Sequence, residues 1–196
     1  MTEAASPSAE PTVVKVGVLL PPPPDELGEW LADAAAFEAA GADALWIDPG
    51  PALDPLTLTA ALAAITYRSL LVTALPDAAA EPLALATVKR LGRGRLALST
   101  GPDGWAKLAD QVDQDPDLIV FRPADATPED FLTAPGGGAW TRVPPPEGRA
   151  AWRTVLAAAA ERGDQGLLVP ADPRLLDLLR NPGDPGGRQD LQLAQG

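Results

Sequence analysis

Six polar or small residues stand where short apolar runs give out: Asp48 after ALWI, Thr73 and Ala74 within SLLVTAL, and Ser99, Thr100 and Gly101 after RLAL. One carboxylate, three hydroxyls and two positions small enough to admit a ligand to the backbone suit binding through hydrogen bonds. They do not suit imidazole or thiolate catalysis, because the chain contains no His and no Cys. The same absences remove the commonest metal ligands and all disulfides, and no dense carboxylate cluster takes their place, so no metal site is expected. No residue stands out as catalytic. Among the cations, Arg122 lies just beyond the run LIVF and is the best placed to meet a phosphate, ahead of Arg68, Arg93 and Arg95. All of these residues also fit plainer roles. Asp48 could bond the backbone of its own loop, Thr73 could simply end a strand, 99–101 could be a turn, and the arginines could pair with surface acids.

The elements that must position these residues alternate along the chain. Apolar runs predict strands at 13–20, 44–47, 69–74, 95–98, 118–121, 139–143 and 166–169. Helical spacing predicts helices at 25–40, 55–66, 82–91, 147–162 and 172–180, with further short helices at 105–112 and 127–132. Asp54 followed by Pro55 marks a helix start, since the carboxylate accepts from orphan N–H groups and proline at the first position needs no partner. Gly41 is the expected stop of the first helix. The segment 92–94, Gly-Arg-Gly, follows a helix and precedes a strand, the reverse of the order a phosphate-cradling loop requires.

Strands alternating with helices indicate an α/β fold, a parallel sheet rolled into a truncated TIM-like (β/α) barrel of about seven strands with the helices outside. A shift of 122 positions places Trp30 on Trp152, Pro22 to Pro24 on Pro144 to Pro146, Gly41 on Gly163 and Leu45 on Leu167. Each copy is a proline-rich exit, a Trp-bearing helix, a glycine stop and a buried strand, one βα unit. A single domain is expected over 12–182, between a disordered tail at 1–11 and a C-terminal tail at 183–196. Trp30 and Trp152 sit at core spacing, whereas Trp46, Trp105 and Trp140 are candidates to line a pocket.

The formal net charge of −12 argues against a nucleic-acid partner, whose phosphates would be repelled. The first dozen residues lack the basic and apolar regions of a secretory signal, and no stretch approaches the ~20 apolar residues of a membrane span. A soluble cytoplasmic protein is expected, with no membrane partner. The Ala-rich helices at 55–66 and 82–91 carry little charge, which points to cover by a second subunit.

Four segments in order, FEAAGADALWID, DPLTLTAALAAITYRSLLVTAL, EPLALATVKRLGRGRLALSTGPDGW and GLLVPADPRLLDLL, resemble the bacterial luciferase-like monooxygenase family of flavin-dependent oxidoreductases. The resemblance implies a shortened barrel holding FMN or the deazaflavin F420 at the carboxyl ends of its strands. It also implies a small-molecule substrate and a homodimer joined through the helices at 55–66 and 82–91. Asp48, Thr73, Ala74, Ser99, Thr100 and Gly101 would then surround the cofactor, with Arg122 toward its phosphate. The chain departs from the family in being short after Trp105 and in carrying Asp48-Pro49 where family members often have Asp-His. The alternative is a barrel without turnover, serving as a flavin-binding or protein-interaction module.

Overall fold

Strands buried on both faces read as continuous apolar runs, and the runs of this chain do fall into one such sheet. In the computed structural model, residues 13–48, 50, 52–75, 81–101, 104, 108, 115–123, 131–134 and 138–181 are described. The elements in chain order are β1 (Lys15–Leu19), α1 (Leu27–Ala40), β2 (Ala44–Ile47), α2 (Pro55–Ile65), β3 (Leu70–Ala74), α3 (Pro82–Leu91), β4 (Leu96–Ser99) and β5 (Ile119–Pro123). There follow β6 (Phe131–Ala134), β7 (Ala139–Arg142), α4 (Arg149–Arg162), β8 (Gly166–Pro170) and α5 (Pro173–Arg180). The strands form a closed barrel in sequential order, with β1 paired to β8. Seven of them run parallel to one another; β6 alone runs antiparallel, to both β5 and β7.

β6 corrects the expected helix at 127–132, since Phe131 and Leu132 lie in a strand; 124–130 lie outside the described residues. The reason is connection length. A parallel neighbour needs a crossover of about a dozen residues or more, whereas an antiparallel one needs only a turn. Seven residues separate β5 from β6 and four separate β6 from β7, so the chain fills the last gap in the ring by doubling back. The expected helix at 105–112 and the two tails fall largely or wholly outside the described residues.

The 122-residue shift carries α1 onto α4 end for end. Both helices stop at a glycine in the left-handed region, Gly41 at φ 108° and Gly163 at φ 77°, where a side chain would be strained. Both then close the same way, with Ala42 N–H donating to the Phe37 carbonyl and Asp164 N–H to the Ala159 carbonyl at 3.0 Å. Trp30 and Trp152 occupy equivalent buried positions, and the Trp30 indole N–H donates to the Pro21 carbonyl at 2.9 Å. α2 begins as expected, with the Asp54 carboxylate accepting the Thr57 N–H at 2.7 Å and Pro55 at the first position. Its buried Leu58 and Leu62 each contribute about 1.5–3 kcal/mol by leaving water. Among the described residues no helix is long and apolar enough to cross a membrane.

Alternation along each strand divides the apolar residues between two cores. Val18, Leu45, Leu71, Leu98, Val120 and Val169 point outward and pack under the helices. Ala44, Trp46, Val72, Ala97, Phe121, Trp140 and Leu168 fill the lumen. Three rings from β2, β5 and β7 plug its centre, with centroids 4.6 Å apart for Trp46 and Phe121, 5.8 Å for Phe121 and Trp140, and 6.1 Å for Trp46 and Trp140. Glycine on the neighbouring strands β1 and β8 makes room for them. A Cβ at Gly166 would stand 2.7 Å from the Trp140 ring, and one at Gly17 would stand 2.8 Å from both tryptophans.

The alignment of β3 with its neighbours rests on a buried polar knot at the amino end of the barrel. Glu38, on α1, is 7% exposed, and its carboxylate accepts the backbone N–H groups of Tyr67, Arg68 and Ser69 at 2.7–2.9 Å. Arg95, before β4, donates to the carbonyls of Thr66 and Ser69 at 2.8 and 2.9 Å. The Ser69 hydroxyl donates to the Ala42 carbonyl at 2.7 Å. These bonds fix where β3 starts, and therefore where it delivers Thr73 and Ala74 at the other end.

Candidate functional site

β1 to β5, β7 and β8 all finish at one mouth of the barrel, the carboxyl end, and all seven residues singled out from sequence lie on or next to it. Strand alternation sorts them into two sets. Ala74 and Ser99 continue the lumen-facing positions of Val72 and Ala97, and Asp48 and Gly101 lie one and two residues beyond the ends of β2 and β4. Thr73, Thr100 and Arg122 fall on the opposite side, toward the helices or solvent. The Thr73 hydroxyl is fully buried and reaches the Pro55 carbonyl of α2 at 3.5 Å. Thr100 is also buried, its hydroxyl 3.3 Å from the Gly101 carbonyl. Arg122 is exposed on the outer side of β5.

The lumen-facing set forms a shelf. Ala74 and Ser99 are register partners on adjacent strands, so two small side chains lie side by side above Val72, Ala97 and the aromatic plug. Ala74 is half-buried and Ser99 is 9% exposed, as expected of residues lining an opening. Among the described residues the Ser99 hydroxyl has no hydrogen-bond partner, although the backbone around it is satisfied: its carbonyl accepts the Leu75 N–H at 2.8 Å, and the Thr100 N–H donates to the Phe121 carbonyl at 3.1 Å. Gly101 is half-buried, its φ lies outside the left-handed region, and among the described residues a Cβ there would meet nothing within 4 Å. Among the described residues neither backbone conformation nor packing requires glycine at that position. Asp48 is exposed, and its carboxylate accepts the Gly50 N–H at 3.1 Å, which orders the loop after β2.

One mouth residue escaped the sequence reading. Arg142, at the end of β7, follows Trp140 by two positions and so stands on the lumen side of the strand, exposed at the rim. The signal was the alternation of Ala-Trp-Thr-Arg, legible once Trp140 is known to point inward. Of the other tryptophans considered for a pocket, Trp46 is buried within the plug and Trp105 lies outside the described residues. Among the described residues no group of His, Cys, Asp or Glu could hold a metal.

The mouth can therefore offer a hydroxyl, a carboxylate, a guanidinium and a strip of small side chains over a dry aromatic floor. That set is suited to holding a ligand by hydrogen bonds, and among the described residues it includes no imidazole or thiol. No family model matches the chain, and no curated protein matches its sequence.

Proposed function

We propose that this barrel is a luciferase-like flavin-dependent oxidoreductase, holding FMN or F420 at its carboxyl mouth and acting on a small organic substrate. The observation that carries the reading is the shelf of Ala74, Ser99 and Gly101, three small residues at the mouth, with a Ser99 hydroxyl that has no partner among the described residues. Such a strip admits the edge of a planar tricyclic ring, and Ser99 can donate to a ring carbonyl or accept from a ring N–H. Trp46 and Phe121 beneath it keep water from the ring's lower side. Arg142, on the lumen side of the rim, can meet a phosphate, and Asp48 can take a ring N–H or a substrate hydroxyl. When bound, the cofactor supplies the hydride or oxygen chemistry, which fits a chain lacking His and Cys. A cytoplasmic setting is consistent with that cysteine-free composition.

Titration of the protein with FMN and with F420, followed by visible absorption and tryptophan fluorescence, tests the reading. Saturable binding of one of them is expected, and Ser99→Phe should weaken it by about a hundredfold, since a bulky ring on the shelf occupies the ligand's place. Binding of neither compound, or equal binding by the variant, contradicts it.

A second reading, a non-catalytic flavin-binding or protein-interaction module, is favoured by the surface over α2 and α3. Leu83 is 80% exposed and Leu91 54%, and with Leu56, Ala60, Ala84 and Val88 they line an apolar groove of about 540 Å³. We assign this face to a homodimer contact, whichever reading of the mouth holds. Light scattering should find a dimer that Leu83→Asp converts to monomer; an unchanged mass would remove the groove from the contact.

A further inference from the structure

The opposite mouth of the barrel, where the strands begin, contains a cavity of about 350 Å³. Its volume lies within the range of small-ligand pockets. Its walls are Ala44, Leu70 and Ile119, and its floor is the ring of Trp140, held by an indole N–H to Gln165 hydrogen bond of 3.2 Å. Among the described residues, three cations line it, Lys15, Arg68 and Arg95, and one carboxylate, Asp43. Lys15 occupies the lumen register of β1, two positions before Gly17.

This charge arrangement is unusual for a chain with 27 acidic residues and 15 basic ones. Among the described residues neither Lys15, Arg68 nor Arg95 has a carboxylate within ion-pair distance. Nearby acids are already engaged. Glu38 is taken by three backbone N–H groups, and Asp43 accepts the Val16 N–H at 2.7 Å. Arg68 and Arg95 donate to backbone carbonyls, which orders their guanidinium groups; the Glu38 carboxylate offsets part of the Arg95 charge through space, and the Arg95 Nε is buried with no partner among the described residues. Like charges gathered over an apolar floor repel one another unless an anion joins them.

We propose that this amino-end cavity binds a small organic anion, its carboxylate or phosphate group met by Lys15, Arg68 and Arg95 and its apolar body resting on Trp140, Leu70 and Ile119. The site is separate from the carboxyl mouth, with the aromatic plug between them, so it stands or falls independently of the flavin reading.

The test is a titration of the ¹⁵N-labelled full-length chain with benzoate, phenyl phosphate and the neutral benzyl alcohol at millimolar concentrations. The expected result is a saturable shift of the Trp140 indole and of the amides of Ala44, Leu70 and Ile119 with at least one anion, and none with the alcohol. The tighter anion names the head group. Lys15→Glu, at an exposed position, and Arg68→Gln should each weaken binding by roughly tenfold while leaving the free protein's spectrum folded. No saturable shift with either anion, equal shifts with benzyl alcohol, or undiminished affinity in both variants would overturn the proposal.

Discussion

Replacing Glu38 with alanine will destabilise the barrel by about 2–4 kcal/mol, because three backbone N–H groups lose a charged acceptor at once and the Ser69 donor is buried. Glu38→Gln, which keeps the volume and one oxygen, will cost about half as much. Acid should reveal the same residue. Burial pushes the Glu38 carboxyl up, but the N–H groups of Arg68, Ser69 and Tyr67 and the charge of Arg95 outweigh it, so the net shift is downward from the ordinary 4.5. A folded-state value below the unfolded one means that the stabilisation is complete above the unfolded value and is lost as pH falls through the folded one. Urea denaturation between about pH 6 and pH 3 should therefore show stability falling with acid, and Glu38→Gln should flatten part of that fall. The Asp54 carboxylate, lowered mainly by its bonds to Thr57, will keep the remainder sloping the same way.

The second large effect lies in the lumen. Trp140→Ala should cost about 3–5 kcal/mol, since the ring is 2% exposed and touches both other members of the plug, leaving a cavity the surrounding strands cannot close. Gly166→Ala alone should cost about 1–3 kcal/mol through overpacking, because the new methyl group meets Trp140 ring atoms at 2.7 Å. The two losses should not add. Without the ring the methyl group has space, so chemical denaturation of the double variant should show a coupling of about 1 kcal/mol or more. Strict additivity would mean that Gly166 does not make room for the tryptophan.

Local chemistry announced much of this fold. Asp54-Pro55 starts α2, Gly41 and Gly163 end α1 and α4, and the 122-residue repeat corresponds to two equivalent βα units set together where the ring closes. β6 was hidden because Thr-Pro-Glu-Asp before Phe131 reads as a helix start, and a four-residue strand carries too little alternation to compete. Its direction is a property of the whole ring, imposed by the short connections on either side.

Which rim residues face the lumen was half legible for a related reason. Ends of apolar runs locate a rim, but a barrel strand is apolar on both faces, so its sequence does not say which neighbours point inward. Thr73, Thr100 and Arg122 thus stood beside Ala74, Ser99 and Gly101 with equal standing until pairing and packing separated them. Arg142 was missed because the inward position of Trp140 had to be known first.

Amide hydrogen exchange on the full chain, with and without saturating FMN or F420, tests the proposed cofactor site most directly. The account predicts slowed exchange at the carboxyl ends of β2, β3 and β4, around residues 48, 74–75 and 99–101, with the amino-end residues 15, 43–44 and 68–70 unchanged. Protection at the amino end instead, or no protection anywhere with either compound, would contradict it.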